Sequence, residues 1–84
     1  MDQKTVFEQV VGILKQFVKN QEALAAVTSE TLIQRDLKVN SARLVDVVLE
    51  LEELFDVRIS DSDADTLRTV GDAVNLILRL KASA

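Results

Sequence analysis

The sequence predicts an all-α fold: a four-helix bundle of three longer helices and one short one. Three observations carry this. Proline is absent and glycine occurs only twice, so the tight turns of a many-stranded sheet protein are missing. Hydrophobic residues make up 48% of the chain but aromatics only 4%, an aliphatic profile suited to packed helices. Apolar residues recur at three- and four-residue steps, and Ser, Thr, Asp or Asn stand ahead of these runs. With 84 residues, the chain is expected to be one domain, residues 1–84, with a modest core.

The first helix is expected over about Gln3 to Asn20. Val6, Val10, Leu14 and Val18 form its apolar stripe with Phe7, Val11 and Phe17. Asp2 suits the N-cap, and Lys15 and Lys19 suit the negative C-terminal end. Gly12 lies inside it and would allow a close helix contact. Residues 20–40 show only scattered periodicity. "EALAA" favours helix, as a run-on of the first helix or a short turn. Thr28, Ser29 and Thr31 read as loop or cap residues. Leu24, Val27, Leu32, Ile33 and Leu37 would pin a long loop onto the bundle.

The second long helix is expected from Ser41 to Phe55. Leu44, Val47, Val48, Leu51 and Phe55 share its inner face. Asp46, Glu50, Glu53 and Asp56 fall opposite, with Val45, Leu49 and Glu52 on the flank. Leu49 is therefore expected to be an exposed apolar residue ringed by carboxylates. "SDSDADTL" reads as the short helix, with Ser60 and Asp63 as a capping box and Ala64 and Leu67 facing inward. "TVGDAVNLILRLK" reads as the last helix. Thr69 and Asp72 form its capping box, and its inner face is Val70, Ala73, Val74, Ile77 and Leu80. Arg79 and Lys81 suit its last turn, and the tail "ASA" is expected to fray.

The net charge is −4, and its distribution is uneven. Residues 1–44 hold five acids and six bases, a net of +1; residues 66–84 hold one acid and three bases, a net of +2. Residues 45–65 hold eight acids and one base, a net of −7. This block disfavours nucleic acid as a partner and favours basic protein surfaces. No apolar run is long enough to cross a membrane, and "MDQKTVFEQ" lacks the features of a secretory signal. A soluble cytoplasmic protein that does not insert into membranes is expected, as a monomer.

Histidine and cysteine are absent, so neither a disulfide framework nor the usual zinc site is available. "DSDAD" resembles part of a calcium loop but lacks the glycine and the distal glutamate, and no metal site is expected. A serine nucleophile needs a base and an oxyanion stabiliser, and Lys38 alone is a weak signal for one. No catalytic residues are assigned, and the chain is not expected to be an enzyme. Ser41 then has two readings. It is an ordinary first-turn residue behind the N-cap Asn40, or it is an acceptor for another enzyme, at a helix end that favours a phosphate ester.

The ordered run "DLKVNSARLVDVVLELEELFDVRISDSDADTLRTVGDAVNLI" resembles the acyl carrier protein family. That family shows Asp-Leu-Gly-x-Asp-Ser-Leu, then a helix of the type "xxxVELVxxLEEEFxIxIxDxD", then "xTVxDxVxxI". From Ser41 to Ile77 the two align without a gap. The resemblance implies a bundle of the acyl-carrier type. It implies a 4′-phosphopantetheine arm on Ser41, attached from coenzyme A by a phosphopantetheinyl transferase, with acyl groups carried on the arm's thiol. It implies that Asp46, Leu49, Glu52, Glu53 and Asp61 meet basic patches on ligases, synthases or acyltransferases of fatty-acid or specialised lipid synthesis. It also implies an apolar interior able to open for an acyl chain, although core packing explains the same residues. Two alternatives remain. One is a discrete aminoacyl, peptidyl or polyketide carrier; the other is an unmodified adaptor acting through its acidic helix.

Three positions depart from the family pattern. Lys38 stands for its Gly, Asn40 for its Asp and Ala42 for its Leu. Lys38 with Arg35 and Arg43 is expected to make the surroundings of Ser41 basic. These departures point to a specialised carrier with a dedicated ligase or synthase.

Overall fold

The computed structural model describes residues 2–82. The expected fraying of Ser83 and Ala84 lies outside them, while Ala82 closes the last helix. Five helices follow in order: α1 (Gln3–Leu14), α2 (Gln21–Ala25), α3 (Ser41–Phe55), α4 (Asp61–Ala64) and α5 (Val70–Ala82). The three long helices are those expected, and α1 packs chiefly on α5 and secondarily on α3. Val6, Val10, Leu14, Leu51, Val70 and Ile77 are fully buried where these helices meet. Burying each such side chain contributes about 1.5–3 kcal/mol against the entropy of ordering the chain.

The first helix is shorter than its apolar stripe suggests. It ends at Leu14, and the chain tightens through Gln16 N–H to Ile13 O (3.1 Å) and Phe17 N–H to Leu14 O (2.9 Å). A run-on into the next helix is interrupted at Asn20. Its Oδ1 accepts the N–H groups of Glu22 (3.0 Å) and Ala23 (3.4 Å), which requires an extended backbone at Asn20 and starts α2 anew. Val18 is still buried and Phe17 partly so, but from a connection and not from a helix. A close helix contact at Gly12 is not made: it is exposed, and a Cβ there would meet nothing within 4 Å.

The loop of residues 26–40 is held by its backbone as well as its apolar side chains. Leu32 pairs with Thr69 in an isolated antiparallel bridge. Ile33 N–H donates to Arg68 O (2.9 Å), Val70 N–H to Thr31 O (3.0 Å) and Gly71 N–H to Ser29 O (2.7 Å). Gly71 permits this approach, because a Cβ there would lie 2.7 Å from Ser29 O. Ile33, Leu37 and Val39 are buried, while Leu24, Val27 and Leu32 are half-buried.

On α3, Val47, Leu51 and Phe55 are buried as expected, whereas Leu44 and Val48 are only half-buried against the core. The helix ends at Asp56 in the left-handed conformation (φ 53°), with Val57 N–H bonded to Glu52 O (3.2 Å). The short helix occupies only Asp61–Ala64, and two further turns carry the chain to buried Leu67. Ser60 Oγ caps it by accepting Asp63 N–H (3.1 Å). At α5 the capping box is reciprocal. Thr69 Oγ1 accepts Asp72 N–H (3.0 Å), and Asp72 Oδ2 accepts Thr69 N–H (3.0 Å) and Arg68 N–H (3.1 Å). The far end of α5 ties down its neighbours: Lys81 Nζ donates to Phe55 O (3.0 Å), and Arg79 pairs with Asp63 (2.9 Å). Leu76 joins the buried face of α5, and Leu80 is only half-buried.

Candidate functional site

Ser41 is the first residue of α3 and is exposed. Asn40 ahead of it is extended (φ −76°, ψ 170°), and its Oδ1 accepts Arg43 N–H at 2.9 Å. The helical ladder opens with Leu44 N–H to Asn40 O (2.9 Å). The N–H groups of Ser41 and Ala42 therefore precede the ladder, at the positive end of a 15-residue helix. The Ser41 hydroxyl makes no hydrogen bond among the described residues, so its modification would break none. An exposed hydroxyl beside free N–H groups fits a phosphodiester.

Two unlike surfaces combine residues of α3 with Phe17, which follows α1 and lines both. The first is a hollow lined by Phe17, Lys19, Asn20, Leu37, Lys38, Asn40 and Arg43. It gathers three cations and no carboxylate. Lys38 adopts the left-handed conformation (φ 59°), which a side chain beyond glycine tolerates poorly. The hollow beside Asn40, the chain neighbour of Ser41, is thus basic, with Lys38 and Arg43 as expected but without Arg35. Arg35 lines a different hollow with Leu32, Gln34 and Arg68, and Lys19 takes its place. Lys19 reads in the sequence as a helix-end cation; in the structure it lies in the connection after α1 and lines this hollow.

The second surface is an acidic groove. Asp46, Glu50, Glu52, Glu53 and Asp56 line it around Leu49, with Gln16 and Phe17 as the opposite wall. Leu49 is 54% exposed, as the helical spacing predicts. Val45 (59%) and Leu54 (51%) are exposed too, which the spacing signals only for Val45. Four of the five expected docking residues meet in this groove; Asp61, exposed in the first turn of α4, does not line it. Glu52 has a second task, because its Oε2 accepts Ile59 N–H at 2.8 Å and fixes the chain leaving α3. Asp46 lies 3.4 Å from Arg43, an exposed pair of small energetic weight. The two carboxyls held below their ordinary range, Asp2 and Asp72, are helix caps away from both surfaces. Backbone hydrogen bonds, from Thr5 and Thr69 respectively, are the main cause. Among the described residues no cluster of acids is placed to hold a metal ion.

Residues 8–77 match the family of phosphopantetheine attachment sites. The chain belongs to the acyl carrier protein family. The mitochondrial acyl carrier protein of Saccharomyces cerevisiae is 36% identical over 74 residues, covering 86% of this chain. The chain spans 59% of that relative's length. The crystal structure of the acyl carrier protein of Thermotoga maritima superposes with a TM-score of 0.81 at 24% identity, over 99% of this chain and 94% of that one. The acyl carrier protein of Enterococcus faecalis gives a TM-score of 0.78 at 34% identity, over 95% and 99%. The cofactor of this family is 4′-phosphopantetheine, covalently attached. Among the described residues no helix is long and apolar enough to cross a membrane.

Proposed function

We propose that the chain, as one domain over residues 1–84, carries acyl intermediates on a 4′-phosphopantetheine arm attached to Ser41. The observation that carries this is the position of Ser41: an exposed, unbonded hydroxyl at the start of α3, inside the stretch that matches the family. In the loading step the Ser41 oxygen bonds to the pantetheine-bearing phosphorus of coenzyme A. Adenosine 3′,5′-bisphosphate leaves, and the hydroxyl proton passes to a base of the phosphopantetheinyl transferase. The group supplies a terminal thiol for thioester formation, which a chain without cysteine does not itself possess. The chain acts as a carrier and leaves catalysis to its partners. Those partners are proposed to be ligases, synthases or acyltransferases of fatty-acid or specialised lipid synthesis. Their basic patches would meet the groove of Asp46, Leu49, Glu52 and Glu53, with Asp61 in the first turn of α4 as a separate contact. Charge complementarity of this kind favours fast association and ready release. We place the chain in the cytoplasm; fractionation tests this, since the yeast relative is named as mitochondrial.

The deciding measurement is intact mass after co-expression with a broad-specificity transferase. The expected result is a gain of one phosphopantetheine group, abolished by Ser41→Ala. An unchanged mass with every transferase tried would replace the carrier with an unmodified adaptor.

A further inference from the structure

Lys19, Lys38 and Arg43 come from three separate parts of the chain: the connection after α1, the loop before α3 and the first turn of α3. They converge on one hollow of about 510 Å³, floored by buried Leu37 and half-buried Phe17. Like charges brought together repel, and no carboxylate lines the hollow to offset them. Arg43 has an exposed partner in Asp46 at 3.4 Å, while Lys19 and Lys38 have none among the described residues. The remaining polar side chains are Asn20 and Asn40. Each commits its Oδ1 to backbone N–H groups as a helix cap. Asn20 Oδ1 accepts two such bonds and Asn40 Oδ1 one, so what the two amides chiefly have left to offer is their NH2 donors. The side chains around the hollow therefore present mainly donors and positive charge, and no carboxylate. Two of the three departures from the family pattern, Lys38 and Asn40, lie on its rim. The family's Asp in place of Asn40 would put a carboxylate there.

We infer that this hollow binds the phosphate groups of the donor that modifies Ser41, namely the adenosine 3′,5′-bisphosphate portion of coenzyme A. The choice of ligand rests on Ser41 being the attachment site. Asn40 adjoins Ser41, so a donor poised for transfer brings its phosphates next to these cations. A volume of about 510 Å³ falls within the roughly 300–1,000 Å³ of small-molecule sites, and a concave site suits a nucleotide better than a flat protein surface. The carrier thus contributes anion contacts of its own to the loading complex.

The test is a titration of the unmodified full chain with adenosine 3′,5′-bisphosphate at low salt, followed by amide chemical shifts. Shifts are expected at Lys19, Asn20, Lys38 and Arg43. The double variant Lys19→Gln/Arg43→Gln should weaken binding at least about fivefold, and Arg35→Gln should not. Raising ionic strength to about 0.15 M should also weaken it. Absence of shifts at millimolar ligand, equal shifts in the double variant, or equal shifts with adenosine alone would each overturn the inference. So would a hexaglutamate peptide that perturbs these amides where the bisphosphate does not, since the hollow would then serve an acidic protein surface. The titration is independent of loading. A mass gain without a titration response overturns the hollow alone; a response without a mass gain upholds the anion site and overturns attachment at Ser41.

Discussion

Lys38 is the residue whose conformation and chemistry disagree most. A left-handed backbone suits glycine, yet a lysine occupies it at φ 59°. Asp56 is also left-handed (φ 53°), but Asp adopts this region more readily, and here it terminates a helix. Lysine has no such local compensation. Lys38→Gly is therefore expected to stabilise the fold by about 1 kcal/mol in chemical denaturation, relief of strain exceeding the added freedom of the unfolded chain. The same change removes one cation from the hollow beside Ser41, so a more stable protein that binds anions less well is the expected pairing. Ser41 and the N-cap Asn40 were both readable in the sequence. The partnership of Lys38 with Lys19 was not, because their positions are 19 residues apart and no periodicity links them.

At the scale of elements, the helix starts are set by short-range side-chain chemistry. Asp2, Asn20, Asn40 and Ser60 each cap a helix, and Thr69 with Asp72 closes a full box. Capping gives α5 a pH dependence of predictable sign. The N–H groups of Thr69 and Arg68 hold the Asp72 carboxyl below its ordinary value of 3.8. A depressed folded-state pKa means that its contribution is present above the unfolded value and is lost as pH falls through the folded one. The stability difference between the native chain and Asp72→Asn should accordingly be full above about pH 5 and shrink progressively below pH 4. Urea midpoints across that range measure it; a difference that is constant with pH would mean that the charge contributes nothing. Four of the five helix starts were legible from these caps. The early end of α1 was not, since its apolar stripe runs on through Phe17 and Val18. Both residues stay in contact with the core without helical geometry, so burial alone does not mark where a helix stops.

For the whole molecule, the arrangement of charge decides how partners approach. The basic hollow and the acidic groove adjoin, and Phe17 lines both. A partner that reaches Ser41 meets positive charge at the hollow beside Asn40 and negative charge farther along α3. The groove also contains an exposed leucine, and an apolar group amid carboxylates contributes little to the stability of the free chain. Leu49→Ala is expected to change folding stability by less than about 0.5 kcal/mol. The same substitution should raise the transferase's KM for the carrier about fivefold, equivalent to roughly 1 kcal/mol of contact. Glu53→Lys should raise it further at low salt and flatten its dependence on ionic strength. A KM unmoved by either substitution would exclude the acidic groove as the docking surface.

The sequence by itself determined where the three long helices start, most of their inner faces, the caps that start them, the acidic block and the serine at the head of α3. Each of these depends on residues within a few positions of one another, where periodicity and capping chemistry act. Only the tertiary structure decided which distant residues share a surface. It separated Asp61 from the groove and assigned one oxygen of Glu52 to Ile59. It also put Lys19, and not Arg35, in the hollow with Lys38 and Arg43, and brought the Ser29 carbonyl against Gly71. The physical reason is that such neighbours are set by how helices pack and where connections turn back, and neither leaves a repeat in the chain.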